Sequence, residues 1–276
     1  MKKPLTHAVV LAAGRGSRLA EPRPGVTLSP AQEAAAATGL KALMPVPERP
    51  FLDHGLAALE AVGIRRFGIV LGRHHEPLRR HLATLDHDLT LLEQPAPRGT
   101  ADALLAAEDF TGDQPFLALN ADTYYPPAAL SALVSLTGPG LLALDRDQVL
   151  ASEQSNLTDA KLCRFALVAS TPDGGLLELI EKPDAATWAA WLARPEPVRL
   201  SINAFRFAPS IYSFCRRVPP SPRGEFELPA AVALAVAAGE PFTVAVTGAP
   251  VLDLTERSDV AVVSRTLACL ERGEGR

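Results

Sequence analysis

Between His7 and Asp145 short apolar runs alternate with stretches whose apolar residues recur at helical spacing, which confines the chain to βαβ units around a parallel sheet. Parallel neighbours need a crossover between them, and a helix provides it while covering one face of the sheet. The pattern predicts strands at Ala8–Leu11, Arg66–Leu71, Leu89–Glu93, Phe116–Asn120 and Leu141–Leu144. Helices are predicted near Leu52–Val62, Pro77–Leu85, Thr100–Phe110 and Ala128–Leu136. After a polar stretch at Gln148–Ala160, runs at Leu162–Ser170 and Leu176–Ile180 flank Pro172-Asp173-Gly174-Gly175, a turn by composition, and read as an antiparallel pair. A helix at Ala185–Ala193, a strand at Val198–Phe207, helical segments at Ser210–Val218 and Leu228–Ala238, and a strand at Phe242–Val246 follow. Helical spacing over Arg257–Arg272 closes the chain. The fold class expected is α/β, a Rossmann-like and mostly parallel central sheet with helices on both faces and a small antiparallel part.

With 276 residues, 47% of them hydrophobic, the chain has apolar material for one large core. Its net charge of -4 lacks the excess of Lys and Arg that a nucleic-acid partner would require. Cys163, Cys215 and Cys269 show no paired spacing and read as reduced packing thiols, neither a disulfide frame nor a zinc knuckle. Too few apolar residues follow Met1–His7 for a signal peptide, and no apolar run approaches the roughly 18 residues of a membrane span, so a cytoplasmic protein is expected. Basic residues are lopsided, 22 Arg against 5 Lys, so an internal Lys calls for an explanation.

Directly after the first strand lies Leu11-Ala12-Ala13-Gly14-Arg15-Gly16-Ser17-Arg18-Leu19. Gly14 and Gly16 let backbone N–H groups approach phosphate oxygens closely, and Arg18 adds a fork of charged donors. The loop lacks the Lys-Ser/Thr ending of a P-loop and has one glycine too few for the dinucleotide fingerprint. Strand Phe116–Asn120 delivers Asp122 to its C-terminal end, where open α/β sheets place ligands and where a carboxylate suits a hard magnesium ion. A cap of the following turn is the plainer reading of Asp122. Asp253 ends a second apolar run, with helix capping as its plainer reading, and Thr100 is placed to cap the helix it begins. The paired His74-His75, with His81 and His87, are too irregular for a metal site, while Trp188, Trp191 and Tyr124-Tyr125 read as packing.

The glycine loop resembles the opening motif of the sugar-1-phosphate nucleotidyltransferases, the NDP-sugar pyrophosphorylases, and the resemblance recurs in order across nearly the whole chain. Leu40-Lys41-Ala42-Leu43-Met44-Pro45-Val46 is similar to the family's proline-lysine segment, whose lysine contacts the triphosphate. Glu93–Leu104 looks like its base-recognition stretch, with Gln94 and the Gly99 backbone facing the nucleobase and Thr100 at the helix start. Asp253 falls where the family has its second metal ligand. Leu179-Ile180-Glu181-Lys182-Pro183 matches the Glu-Lys-Pro segment, Glu181 meeting the sugar and Lys182 its phosphate. Ser201-Ile202-Asn203-Ala204 resembles the strand whose Asn binds sugar hydroxyls, and Arg223–Leu228 looks like the stretch before a late helix.

The resemblance implies a nucleotidyltransferase that joins a nucleoside triphosphate to a sugar 1-phosphate and releases pyrophosphate, by magnesium-assisted in-line attack on the α-phosphorus. It assigns the nucleotide to Leu11, Ala13, Gly14, Gly16, Ser17, Gln94, Gly99 and Thr100, and the chemistry to Arg18, Lys41 and Lys182. Mg2+ goes to Asp122 and Asp253, and the sugar phosphate to Glu181, Lys182 and Asn203. One domain over 1–276 is expected: a nucleotide-binding half at 1–145, a sugar-phosphate-binding half at 146–256 and a C-terminal helix at 257–276. A uracil or thymine nucleotide and a hexose 1-phosphate are the leaning, and a homo-oligomer is left open. The alternatives are a nucleotidyltransferase with a non-sugar phosphate acceptor, a nucleotide-sugar-dependent glycosyltransferase, and a non-catalytic nucleotide-sugar-binding paralogue. Three departures stand out: Leu40 replaces the usual Pro, Pro229 stands where relatives carry a hydroxyl or acidic residue, and Ala20–Gly39 is about a dozen residues longer than the usual spacing. The extra segment, helical by composition at Pro30–Thr38, is expected to be a lid or specificity loop over the nucleotide.

Overall fold

A computed structural model describes residues 4–14, 16–47 and 49–272. Arg15 of the glycine loop, the first three residues and the last four lie outside the described residues. In chain order the strands are β1 (His7–Leu11), β2 (Arg66–Gly72), β3 (Asp88–Gln94), β4 (Phe116–Asn120), β5 (Thr123–Tyr124) and β6 (Gly140–Asp145). They continue as β7 (Ala166–Ser170), β8 (Leu176–Ile180), β9 (Arg199–Phe207), β10 (Thr243–Thr247) and β11 (Leu252–Asp253). Among the described residues a nine-stranded sheet runs β10-β6-β9-β4-β1-β2-β3, with β7 added on β9 and β8 on β7. Strands β4, β1, β2 and β3 are mutually parallel, as are β10 and β6, and β9 runs antiparallel between the two groups.

The central strands β1 and β4 are apolar between their terminal His7 and Asn120 because both faces of the sheet are covered. Alternate residues serve opposite sides: Ala8, Val10, Leu117 and Leu119 join one buried cluster, and Val9, Leu11, Phe116 and Ala118 the other. Helices Phe51–Ala61, Pro127–Val134 and Asp259–Glu271 cover the first face. Helices Thr100–Leu105, Ile211–Cys215 and Leu228–Ala237 cover the second. This is the α/β architecture expected.

Several local expectations need correction. The helix expected over Thr100–Phe110 stops at Leu105 and resumes at Glu108–Thr111. The strand expected from Leu162 begins at Ala166, because Asp159–Leu162 turns as a short helix. The polar stretch from Gln148 starts inside a helix, Arg146–Ala151, whose N-terminus Asp145 caps by accepting from Gln148 N at 3.1 Å. The two-residue strands β5 and β11 are too short to leave a periodic signal.

Strand β9 positions the site. One of its edges carries β6 along most of its length. On its other edge Ala204–Phe207 pair with β4, whereas Arg199–Ser201 pair with β7. The sheet therefore forks at Ile202–Asn203, where the β6–β9 register also shifts between Leu141 and Ala143.

Candidate active site

A cleft of about 690 Å³ opens at the C-terminal ends of β1 and β4, where an open parallel sheet leaves room between diverging loops. Of the residues expected to hold the nucleotide and its phosphates, Leu11, Ala13, Gly14, Gly16, Ser17, Arg18, Lys41, Gln94, Gly99, Thr100 and Asp122 all line it. The parallel register sets this convergence: Leu11 sits beside Asn120 across β1 and β4, and Ala121 N donates to Leu11 O at 3.0 Å.

The floor carries an ion pair. Lys41 Nζ donates to Asp122 Oδ2 at 2.7 Å, with both side chains largely covered. Strands β5 and β11 pair antiparallel, Asp253 opposite Thr123, and Leu254 N donates to Asp122 O at 2.8 Å. The ribbon thus brings the two carboxylates together from positions far apart in the chain. Burial raises the pKa of Asp253 above the usual carboxylate value, and the neighbouring Asp122 charge raises it further. Neither aspartate side chain caps a helix. The N–H groups of Thr255 and Glu256 are accepted instead by Asp259 Oδ2, at 2.9 and 2.8 Å.

Two residues that sequence reasoning left without a role hold Asp253. The buried Asn156 amide pairs with its backbone in both directions, donating to Asp253 O at 2.6 Å and accepting from Asp253 N at 3.0 Å. Lys161 Nζ lies 2.5 Å from Asp259 Oδ1 and 3.9 Å from Asp253 Oδ2. Lys161 had a signal: it is one of three internal lysines in an Arg-rich chain, and the other two, Lys41 and Lys182, sit on the motifs.

Around the loop after β3, Gln94 is buried, and its amide donates to Gly99 O at 3.1 Å and Asp102 Oδ2 at 2.8 Å. Both donor hydrogens therefore brace the loop from within. Gly99, at φ 114°, lies against Phe226: a Cβ there would stand 2.4 Å from Phe226 O. The expectation that Thr100 caps its own helix needs correction. Gly99 occupies that capping position, and Thr100 Oγ1 accepts from Leu228 N at 2.8 Å at the start of the Leu228–Ala237 helix. That bond ties the two loops into one wall, so Arg223, Glu225 and Glu227 also line the cleft. Pro229 falls in the first turn of this helix, where a missing N–H costs nothing.

The residues expected on the acceptor side are set differently. Lys182 (φ 46°) and Asn203 (φ 61°) are the two non-glycine residues with left-handed backbone among the described residues. Such conformations store strain and gather where a side chain must be aimed. Asn203 stands at the sheet fork, and the adjoining Ile202 carbonyl accepts from Tyr125 Oη at 2.6 Å, so Tyr125 does more than pack. Lys182 Nζ donates to Glu227 Oε1 at 3.0 Å and lies 3.3 Å from Glu181 Oε1, and Arg223 also pairs with Glu227. Burial pushes the Glu181 pKa up. Burial acts likewise on Glu227, but the Lys182 and Arg223 hydrogen bonds outweigh it and hold that carboxylate below its usual value. Lys182 thus joins the cleft through Glu227, while Glu181, Asn203 and the buried Asp253 stand outside its lining.

The segment expected to form a lid does not line the cleft: between Arg18 and Leu40 no residue contributes to its walls. It packs behind the glycine loop. Among the described residues no group of three or more His, Cys, Asp or Glu could hold a metal, and no helix is long and apolar enough to cross a membrane.

Residues 8–184 match the MobA-like NTP transferase domain, from β1 through the Glu181-Lys182-Pro183 segment. The chain is 28% identical over 228 residues to a glucose-1-phosphate thymidylyltransferase of Streptomyces antibioticus, covering 82% of this chain and 56% of that protein. It is 28% identical over 236 residues to the UTP–glucose-1-phosphate uridylyltransferase AglF of Haloferax volcanii, covering 84% of each. The chain thus spans about half the length of the first curated relatives it matches. A solved UDP-glucose pyrophosphorylase complexed with UDP-glucose superposes with a TM-score of 0.72 over 96% of this chain and 98% of that one, at 15% identity, a likeness of fold. By the match over β1 to Pro183, the chain belongs to the MobA-like NTP transferase domain family.

Proposed function

We propose that the protein transfers a nucleotidyl group from a nucleoside triphosphate to a sugar 1-phosphate and releases pyrophosphate. The observation that carries this reading is the meeting of the glycine loop, Lys41 and Asp122 in one cleft, with the buried Asp253 beside Asp122 behind its lining and Lys182 joined to its far wall. The chemistry asks for this arrangement. An oxygen of the acceptor phosphate attacks the α-phosphorus, the bond from that phosphorus to the bridging oxygen breaks, and pyrophosphate leaves, so the residues have only to position and neutralise.

Arg18 and the N–H groups around Gly14 and Gly16 hold the leaving pyrophosphate. Lys41 offsets charge at the α-phosphate, and Lys182 orients the incoming phosphate. Glu181 and Asn203 meet the sugar, and Gln94 acts mainly by fixing the Gly99 backbone against the base. Two neighbouring carboxylates that raise each other's cost of ionisation fit a magnesium ion, which Asp122 and Asp253 would hold and whose charge would offset that repulsion. Bound there, the ion supplies charge neutralisation at phosphate oxygens.

The test is pyrophosphate release by the purified protein with magnesium, with each common nucleoside triphosphate crossed against a panel of sugar 1-phosphates and non-sugar phosphates. Release with one sugar 1-phosphate supports the reading and names both substrates. Release only with a non-sugar phosphate reassigns the acceptor, and nucleotide binding without any release refutes turnover.

A further inference from the structure

The 20–39 segment is built into the molecule at three places. Its helix, Pro30–Thr38, is closed by a reciprocal capping box between Ser29 and Gln32, and Gln32 Nε2 also donates to Pro45 O at 3.1 Å. Its end, Gly39, is left-handed at φ 68° and abuts the glycine loop so closely that a Cβ on Gly16 would stand 1.8 Å from Gly39 O. The same Gly39 carbonyl accepts from Lys41 N at 3.0 Å. One short body therefore touches both the loop that carries Arg18 and the lysine that reaches Asp122.

What fixes this body is Arg257, which is only 6% exposed. Its Nη1 donates to both carboxylate oxygens of Glu33, each at 2.8 Å. Its Nε donates to Leu19 O at 3.0 Å and its Nη2 to Ala20 O at 3.3 Å. Leu19 and Ala20 close the short Ser17–Ala20 helix that leaves the glycine loop, and their carbonyls have no partner within so short a helix. Arg257 follows Asp253 by four residues on the same segment, where Glu256 also meets Arg23 at 2.5 Å. A single guanidinium thus joins the glycine loop, the added helix and the strand that carries one carboxylate.

We propose that the 20–39 segment is a brace and that Arg257, acting through Glu33, is a positioning residue. Together they hold the glycine loop and Lys41 in register with the Asp122–Asp253 pair before a triphosphate arrives. Arg is the residue such a joint requires, because its planar fork serves a carboxylate and two carbonyls at once, which an ammonium cannot do in the same geometry. A site whose donors are already in place loses less freedom on binding the triphosphate. The kinetic part of the proposal rests on the function proposed above.

Two variants test it. Glu33→Gln keeps shape while removing the charge, and the Glu33 side chain is 47% exposed, so the fold tolerates the change. Arg257→Lys keeps the charge while removing the fork. Both should raise KM for the nucleoside triphosphate on the order of tenfold, the scale of one coupled pair, and leave KM for the acceptor within about twofold. Trypsin should cut faster after Arg18 in both variants, and equilibrium binding of the triphosphate should weaken in step. Unchanged nucleotide KM, binding and cleavage in Glu33→Gln would overturn the proposal, and so would an equal rise in both KM values, which marks general damage. If the wild-type protein turns over no substrate pair, the transferase reading fails by itself, and trypsin cleavage with nucleotide binding still decides the brace.

Discussion

Asn203 separates folding from function more cleanly than any other residue of the candidate site. Its backbone is left-handed, and among the described residues its side chain makes no hydrogen bond or ion pair. Asn203→Gly therefore removes no hydrogen bond or ion pair from the fold. It relieves a left-handed strain of roughly 1 kcal/mol and adds glycine's unfolded-state entropy, about 0.5–1 kcal/mol in the opposite sense. Stability should change by less than about 1 kcal/mol, a few degrees or less in Tm. At an ordinary strand position the same substitution would simply destabilise. If the amide meets two acceptor hydroxyls, its loss removes about 1–3 kcal/mol of binding, roughly a tenfold to hundredfold rise in acceptor KM. Thermal unfolding and steady-state kinetics with both substrates varied make the measurement. A Tm drop of more than about 5 °C with acceptor KM unchanged would refute the reasoning, because the strain would then serve folding alone.

Asp122→Ala should abolish most pyrophosphate release and weaken manganese binding followed by electron paramagnetic resonance; near-normal turnover would remove Asp122 from the metal site. Burial raises the Cys215 pKa to about 12, so in the folded protein a thiol-alkylating reagent should modify the part-exposed Cys163 and Cys269 and spare Cys215 until denaturant is added, as read by mass spectrometry. Glu181 has a folded pKa above its unfolded one, so ionising it disfavours the fold as pH rises through the carboxylate range. Glu181→Gln should accordingly gain Tm over the wild type at pH 7, with the gain vanishing in acid where both side chains are neutral; a gain that persists in acid would point to packing instead.

What was legible from sequence follows the range over which each signal acts. Strands β1 and β4 announce themselves because burial on both faces forces apolar runs, and the loops at their ends inherit a position from the register, so Gly14 and Asp122 could be placed on one cleft, whereas Lys41 was placed there by the resemblance of its segment. Strands β5 and β11 have two residues each and no period to read, although they are what brings Asp253 to Asp122. The fork of the sheet at β9 coincides with one left-handed residue, Asn203, whose composition says only that such a conformation is tolerable. Thr100 looks like an ordinary helix cap because the true donor to its hydroxyl oxygen, Leu228 N, enters from 128 residues away. The same blindness made the 20–39 segment look like a lid: Glu33 and Arg257 are 224 residues apart, and no local pattern connects a helix of small residues with a buried arginine near the end of the chain.

Composition reached further than periodicity in one case. The scarcity of lysine asks why Lys161 exists at all, and its place between Asp253 and Asp259 answers with the same logic that applies to Lys41 beside Asp122. Arginine could satisfy either carboxylate as well in free solution. Under the proposed function a compact ammonium would leave more room at a carboxylate that also met a phosphate-bound cation, and each lysine can turn away from its aspartate without dragging a planar fork through the site.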